Sequence, residues 1–185
     1  EQFDLCKAVF EQHGIEVAGG VTTTCPRADG DDRQRMFNTF CYNDEAMLAT
    51  LREVSAFLGS RVDEFIIDDF YFTNCTCGKC RAGRDAYNAA NGIADGSWER
   101  YRLDLMQRVS QTHMIAPAKA VNPDCRITIK YPNWAESYQE TGYNPAGQRT
   151  IVANLYTGTE TRDPGTTDQP LPRHLSYPLM TSLDH

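Results

Sequence analysis

The feature that most constrains the fold is the apolar run Phe65-Ile66-Ile67, inside a predicted strand from Val62 to Phe72. A strand without polar alternation is typical of a parallel sheet, whose strands are covered on both faces. The run leads directly into Asp68-Asp69. The sequence therefore predicts a buried parallel strand with two acids at its C-terminal end.

Helix and strand patterns alternate on both sides of this run. Helical spacing occurs in residues 3–13, in a segment that starts at Asn43-Asp44-Glu45 and ends at Gly59, and from Trp98 to a point before Pro117. Further strands are predicted at residues 15–21, 36–42, 126–131 and 151–156, and loops at residues 22–32 and between the cysteine-rich segment and Trp98. Such βα units build a parallel sheet with helices packed on it.

The residues at the ends of the strands distinguish a barrel from an open sheet. No glycine-rich nucleotide fingerprint comes after a predicted strand, whereas polar and aromatic residues come after several. This pattern is typical of the C-terminal face of a (β/α)8 barrel of the TIM type, which usually needs about 250 residues and eight strands. The chain has 185 residues and four or five predicted strands. We therefore predict one α/β domain over residues 1–185 that forms about half of a parallel barrel, completed by a second chain or by further residues.

The charge balance excludes one class of partner. Lys and Arg number 18 against 25 Asp and Glu, and the net charge of −7 would repel a phosphate backbone. We therefore expect no nucleic-acid partner. We also expect no membrane partner, because no apolar run approaches the roughly 20 residues that span a bilayer. Residues 1–4 carry no leader pattern, which is compatible with the earlier removal of a signal peptide, and secretion is the expected location.

Asp68, Asp69 and Glu160 are the candidate catalytic residues. Since successive strand side chains point to opposite faces, one of Asp68 and Asp69 can point into a barrel mouth. Glu160 follows a later strand and could supply the second carboxylate. Glycoside hydrolysis needs such a pair, one group to protonate the leaving oxygen and one to act as nucleophile or base. The alternative is that Asp68 caps the following loop and Asp69 pairs with an arginine or lysine.

Aromatic and polar residues at predicted strand ends fit a sugar site. Aromatic rings can stack on pyranose faces, and polar side chains can bind hydroxyl groups or a carboxylate. The candidate substrate-binding residues are Tyr71, Lys130, Tyr131, Asn133, Trp134, Tyr156, Arg162 and Asp163.

The seven cysteines cannot all pair within the chain, because their number is odd. Cys75, Cys77 and Cys80 form a C-x-C-x2-C pattern whose thiolates can converge on one tetrahedral zinc ion. We predict Cys41 as the fourth ligand, since neighbouring strand ends of a parallel barrel lie side by side. A closed four-sulfur site would be structural. Disulfides are one alternative. A Cys77-x-x-Cys80 redox pair is another, although it should open a helix and Cys77 lies in a predicted loop.

These motifs resemble those of known proteins. The acid-ended strand followed by C-x-C-x2-C is similar to the zinc-bound cysteine cluster of certain barrel β-galactosidases and of uncharacterised glycosidase-like barrel proteins. The stretches IIDDFYFTNCTCGKC, IKYPNW and TGTETRDP resemble hypothetical bacterial and fungal proteins assigned to glycoside hydrolases. This second resemblance covers most of the chain and implies a barrel and a carbohydrate substrate. The β-galactosidases use an Asn-Glu pair where this chain has Asp68-Asp69, so their residue roles are not carried over.

Two functions from different classes are the resulting hypotheses. The first is a glycoside hydrolase that acts on a poly- or oligosaccharide through paired carboxylates, with structural zinc and no organic cofactor. The second is a non-catalytic carbohydrate-binding or structural zinc protein built on a partial barrel. A third reading, a thiol oxidoreductase, would require an exposed Cys77 with a depressed pKa.

Overall fold

The computed structural model describes residues 2–24, 39–68, 71–131 and 141–157. Within them, four strands form one parallel sheet in the order β1-β2-β3-β4. The strands are β1 (Gly19–Val21), β2 (Glu64–Ile67), β3 (Arg126–Tyr131) and β4 (Asn154–Thr157). Because sheet order follows chain order, each connection leads to the neighbouring strand, as successive βα units of a barrel do. The predicted α/β class with a parallel sheet is confirmed.

Six helices and a π-helical segment are described. They are α1 (Gln2–Gln12), α2 (Glu45–Gly59), α3 (Gly78–Ala90), α4 (Glu99–Val109), the π-helical segment (Ser110–Ile115), α5 (Ala116–Val121) and α6 (Pro145–Gln148). Helix α2 packs against the π-helical segment, α5 and β2. Among the described helices, none has both the length and the hydrophobicity that a membrane crossing requires.

The two faces of the sheet differ in their covering. Phe65 and Ile67 on β2, like Ile127 and Ile129 on β3, are buried in the core that the helices share. Each such side chain contributes roughly 1.5–3 kcal/mol through burial. Ile66 alternates with them and stays half-exposed. The expectation that β2 is covered on both faces therefore holds for one face of the described structure.

The opposite face of the sheet is polar. Glu64 Oε1 accepts a hydrogen bond from Thr128 Oγ1 at 3.0 Å, and Thr128 Oγ1 lies 3.5 Å from Asn154 Nδ2 on β4. In a complete barrel, this face would be the interior. We call it the open face.

Helix α2 begins where the sequence predicts. Asp44 Oδ1 accepts a hydrogen bond from the Ala46 N–H at 3.0 Å, which satisfies one of the free donors of the first turn. The helix ends at Gly59, whose missing side chain lets the backbone of Ala118 on α5 approach closely. The predicted helix is confirmed.

The segment after the cysteines is a helix, so the loop prediction is wrong there. Residues 78–90 form α3, and Cys77 is its N-cap. Alanine, a strong helix former, recurs at Ala82, Ala86, Ala89 and Ala90. The glycines and asparagines between them concealed the helical pattern.

The predicted helix end before Pro117 is also wrong. The chain continues from α4 through the π-helical segment into α5, which ends at Val121. Pro117 lies in the first turn of α5. A first-turn N–H has no partner within its own helix, so proline is tolerated at this position.

The described part of predicted strand 36–42 does not form a strand. Thr39 makes an isolated antiparallel bridge with Thr24, and the Phe40 N–H donates to Thr23 O at 2.9 Å. The chain that leaves β1 therefore returns beside the C-terminal end of β1. Residues 25–38 lie outside the described residues.

Candidate active site and metal centre

Three predicted site residues lie in one row at the C-terminal edge of the sheet. Lys130 on β3 is paired in register with Tyr156 on β4. Asp68 directly follows Ile67, the register partner of Ile129. By strand alternation, the side chains of Asp68, Lys130 and Tyr156 belong to the open face. The register thus brings an acid, a base and an aromatic ring from three strands together.

Asp68 and Lys130 form an ion pair across β2 and β3. Lys130 Nζ lies 3.0 Å from Asp68 Oδ1, and the side chains are 17% and 43% exposed respectively. The Asp68 N–H donates to Val21 O at 2.9 Å, which fixes its backbone against β1. The carboxylate is therefore held in place and still accessible from the open face. Tyr156 is half-exposed.

Tyr71 and Tyr131 are core residues, contrary to their predicted role in sugar stacking. Both rings are almost fully buried. Tyr71 Oη lies 2.7 Å from Ser110 Oγ, which accepts a hydrogen bond from Gln148 Nε2 at 3.1 Å. Tyr131 donates to the other end of the same amide, Gln148 Oε1. Tyr71, in the segment that follows β2, and Tyr131, at the end of β3, are thus tied to the helices and offer no open ring face to a sugar.

The other candidate site residues lie outside the described residues, and their predicted roles stay predictions. They are Asp69, Asn133, Trp134, Glu160, Arg162 and Asp163. The described part of the chain therefore contains Asp68 from the set of candidate catalytic carboxylates.

Four cysteines meet beside the C-terminal ends of β1 and β2. Cys41 arrives on the segment that returns beside β1, and its N–H donates to Met47 Sδ at 3.0 Å. Cys75 lies in the connection between β2 and α3, Cys77 caps α3, and Cys80 lies in the first turn of α3. The four Sγ atoms lie within 4.8 Å of one another. The predicted set is assembled, although Cys41 is not at the end of a separate strand.

The sulfur spacing fits one tetrahedral metal ion. Cys41 Sγ lies 3.5 Å from Cys80 Sγ and 3.8 Å from Cys77 Sγ. Metal–sulfur bonds of about 2.3 Å in a tetrahedron separate the sulfurs by about 3.8 Å, whereas a disulfide joins two sulfurs at about 2.05 Å. All described cysteines are free thiols, and three members of the cluster are buried. The geometry therefore favours a closed four-sulfur metal site over disulfides.

The protonation of the thiols also favours a cation. Hydrogen bonds with Cys41 and Cys80 lower the pKa of Cys75 to about 2. The hydrogen bond with Cys75 raises the pKa of Cys41 to about 12, and hydrogen bonds with the neighbouring thiols raise the pKa of Cys80 as well. Without a cation, the neighbouring thiols therefore do not all ionise together. A divalent ion would let all four sulfurs ionise, because it balances charge that burial penalises.

The position of Cys77 removes one argument against a redox pair. Cys77 opens a helix after a strand, whereas the sequence predicted a loop. Its sulfur nevertheless belongs to a group of four, and Cys80, its partner in the proposed pair, is buried. Thiol exchange needs an accessible sulfur with a single resolving partner. The arrangement therefore fits metal binding better than redox exchange.

Two residues missed by sequence reasoning support the cluster from outside. Asn43 Nδ2 donates to Cys80 Sγ at 3.3 Å, and Tyr101 Oη donates to Asn43 Oδ1 at 2.9 Å. Asn43 could have been suspected from its closeness to Cys41 in the chain. Tyr101 gave no such signal, because it lies on the predicted core face of a helix.

Trp98 covers another side of the cluster. Its indole packs against the cysteines and stacks with Arg84 and Arg102, whose guanidinium carbons lie 4.4 Å and 4.5 Å from the ring centroid. Arginine stacks favourably on an indole face. This packing covers part of the cluster and brings two positive charges near it.

Comparison with known proteins gives a family match over the whole chain. The family model described as "Probable glycosyl hydrolase, catalytic domain" matches residues 1–185. The chain is also similar to an uncharacterized protein of Saccharolobus solfataricus, with 29% identity over 175 residues, covering 85% of this chain and 28% of that protein. The chain therefore spans less than a third of this relative.

A solved structure shows the same fold. The crystal structure of the cold-adapted β-galactosidase from Rahnella sp. R3 matches with a TM-score of 0.65 and 14% identity, covering 88% of this chain and 32% of that chain. At this identity, the likeness concerns the fold. It confirms the predicted partial barrel of parallel strands and helices.

Proposed function

The chain belongs to the family of probable glycosyl hydrolase catalytic domains, and on this premise we propose that it hydrolyses glycosidic bonds of an oligo- or polysaccharide. The observation that carries the proposal is the row of Asp68, Lys130 and Tyr156 at the C-terminal edge of the sheet. Active sites of barrel enzymes lie at this edge. A carboxylate beside a cation and a half-exposed ring matches the needs of sugar binding and cleavage.

Asp68 is proposed to work as an ionised carboxylate. The Lys130 ammonium at 3.0 Å supplies its counter-charge. Glycoside hydrolysis uses one carboxylate in this state, as nucleophile or as the base that activates water. The second carboxyl group must carry the proton for the leaving oxygen, and we assign that role to Asp69 or Glu160. Both follow strands at the same edge of the sheet in the sequence.

Tyr156 is proposed to position the substrate, and Lys130 is proposed to position Asp68. The half-exposed ring of Tyr156 lies on the strand next to Lys130 and can stack on a sugar face. Lys130 is mostly buried and tied to Asp68, so its main effect is to hold the carboxylate in place. Trp134, Asn133, Arg162 and Asp163 remain proposed substrate contacts from the sequence.

Hydrolysis of a polysaccharide panel tests this proposal. We expect the wild-type protein to release reducing ends from at least one substrate. Asp68→Asn and one of the two variants Asp69→Asn and Glu160→Gln should lower kcat, by roughly 10²–10⁴-fold for a group that transfers a proton, while substrate binding persists. Asp104→Asn, at an exposed position on α4, is the matched control and should keep full activity.

Two outcomes would contradict the proposal. Sugar binding without any release of reducing ends would favour the non-catalytic carbohydrate-binding alternative. Full activity in all three acid variants would reject the assignment of the carboxylates.

We further propose that the ion in the cysteine cluster is zinc with a structural role. Zinc favours four thiolate ligands in a tetrahedron, and such a closed site leaves no position for substrate. The ion would join the connection after β1, through Cys41, to the connection that follows Asp68, through Cys75. Zinc would thereby act as a crosslink that stabilises the edge of the sheet on which Asp68 lies.

Metal analysis of the purified protein tests the zinc proposal. We expect about one zinc ion per chain, and its loss in Cys41→Ser or Cys80→Ser. Cys125→Ala is the matched control, because Cys125 is equally buried but does not belong to the cluster. Wild-type protein that contains no metal, or whose cluster cysteines are joined in disulfides, would reject zinc.

A further inference from the structure

The sulfur of Cys80 has a hydrogen-bond donor that is itself held in place. Asn43 Nδ2 lies 3.3 Å from Cys80 Sγ, and Asn43 Oδ1 accepts from the Tyr101 hydroxyl at 2.9 Å. The cysteine and the tyrosine are almost fully buried. The amide therefore bridges a sulfur of the metal centre and a hydroxyl on α4.

Tyr101 determines which end of the amide faces the sulfur. A carboxamide offers donors at one end and an acceptor at the other. The Tyr101 hydroxyl donates to Asn43 Oδ1 and thereby holds that oxygen away from Cys80. The NH₂ group is then directed to Cys80. The reversed amide would place an electron-rich oxygen against a thiolate.

A glycine in α3 leaves room for this bridge. A Cβ atom on Gly83 would collide with the Tyr101 hydroxyl and lie 3.0 Å from Asn43 Oδ1. Glycine is unfavourable inside a helix relative to alanine. The Tyr101 hydroxyl and the Asn43 amide pass so close to Gly83 that they leave no room for a side chain there, which explains the glycine.

We propose that Asn43 and Tyr101 form an outer hydrogen-bond relay that sets how firmly the cysteine cluster holds its metal ion. This inference rests on the proposed zinc centre. Four thiolates around a divalent ion leave a net charge of −2 in a buried site, and a donor to one sulfur withdraws part of that charge. Loss of such an outer partner typically lowers metal affinity 10–100-fold. Asn43 and Tyr101 are positioning residues, since neither binds the ion.

The rate at which zinc leaves the protein tests the relay. The intact protein is loaded with one equivalent of zinc and mixed with excess chromogenic chelator at constant pH. Tyr101→Phe removes the hydroxyl but keeps the ring that packs on Trp98 and Tyr87, and Asn43→Leu removes the amide. We expect each variant to release zinc roughly tenfold faster or more. Tyr87→Phe, which removes a hydroxyl from the neighbouring ring, should release zinc at the wild-type rate.

The double variant separates a relay from general loosening. If Tyr101 acts through Asn43, the variant with both substitutions should release zinc no faster than Asn43→Leu alone. If the double variant instead released zinc at a rate raised by the product of the two single effects, the relay would be overturned.

Gly83→Ala gives an independent way to disturb the bridge. The helix preference of alanine would by itself leave zinc release unchanged or slow it. The relay predicts faster release, because the new methyl group displaces the Tyr101 hydroxyl. Gly78→Ala adds the same methyl to the same helix with nothing within 4 Å of it and should leave the rate unchanged.

Failure of the zinc proposal and failure of the relay give different results. Wild-type protein that binds no zinc would overturn both. Wild-type protein that binds zinc, with Tyr101→Phe, Asn43→Leu and Gly83→Ala all releasing it at the wild-type rate, would overturn the relay and leave the zinc centre standing.

Discussion

His113 links the stability of the protein to pH. Its Nδ1 lies 2.8 Å from an Arg52 guanidinium nitrogen on α2. Burial, together with the charge of Arg52, lowers the pKa of His113 below its ordinary value. The unfolded chain therefore takes up a proton at higher pH than the folded protein. The stabilisation is present above about pH 6.5 and is lost as the pH falls from there through the lower pKa of the folded state.

We predict that His113→Gln weakens this pH dependence. The free energy of unfolding of the wild type should fall as the pH drops below about 6.5, and the variant should show a smaller fall. Urea titrations at several pH values measure the slopes. His13→Gln, at an exposed position after α1, is the control and should keep the wild-type slope. Equal slopes for all three proteins would contradict the prediction.

Single residues could be predicted where their position in the chain determines their neighbours. The C-x-C-x2-C spacing forces three sulfurs together, and the cluster forms as predicted. Strand alternation assigns faces to Lys130 and Tyr131 in the same way as to Asp68 and Asp69. The alternation that puts Lys130 on the open face puts Tyr131 on the helix face, where it is buried. Its predicted role in sugar stacking could therefore have been rejected from the sequence.

Helices and strands could be predicted where local signals agree. Helix α2 has a capping aspartate, a regular apolar spacing and a terminal glycine. Strand β2 contains the apolar run Phe65-Ile66-Ile67, and β3 alternates isoleucines with polar residues. Helix α3 was missed because Gly78 and Gly83 interrupt its pattern. Gly83 is explained by contacts with Tyr101 and Asn43, which are distant in sequence and therefore invisible to local reasoning.

The π-helical segment could not be predicted for a similar reason. It begins at Ser110, whose hydroxyl bonds to Tyr71, in the segment that follows β2, and to Gln148 from α6. Such segments are rare and often occur at functional sites. Here the segment brings a buried hydroxyl to the point where two strand ends meet a helix, and this arrangement depends on contacts across the whole fold.

In the described residues, helices pack on only one of the two faces of the sheet. The other face, the open face, carries Glu64, Asp68 and Lys130. The chain length and the four or five predicted strands together indicated about half a barrel. The chain also spans less than a third of the solved β-galactosidase structure that it matches. A sugar bound at Asp68 would therefore lie against a polar surface that a complete barrel would enclose.

Helix α1 shows where this arrangement leaves apolar surface uncovered. Phe3, Leu5, Val9 and Phe10 are all exposed, and α1 has no buried residue. Leu5 and Val9 are one turn apart and share a face. Contiguous exposed apolar groups promote association. We therefore expect this 185-residue chain to self-associate through α1 when it is produced alone.

The double variant with Leu5→Ser and Val9→Ser tests whether the apolar face of α1 drives self-association without contributing to the stability of the fold. Because both positions are exposed, each substitution should change the free energy of unfolding by no more than about 0.5 kcal/mol. Leu51→Ala on α2, at a position that is 2% exposed, should cost about 2–5 kcal/mol. Sedimentation velocity should show less association in the double variant, with Leu51→Ala giving no such gain. If the double variant were as destabilised as Leu51→Ala, α1 would have to pack against other parts of the protein, and its apolar face would belong to the core.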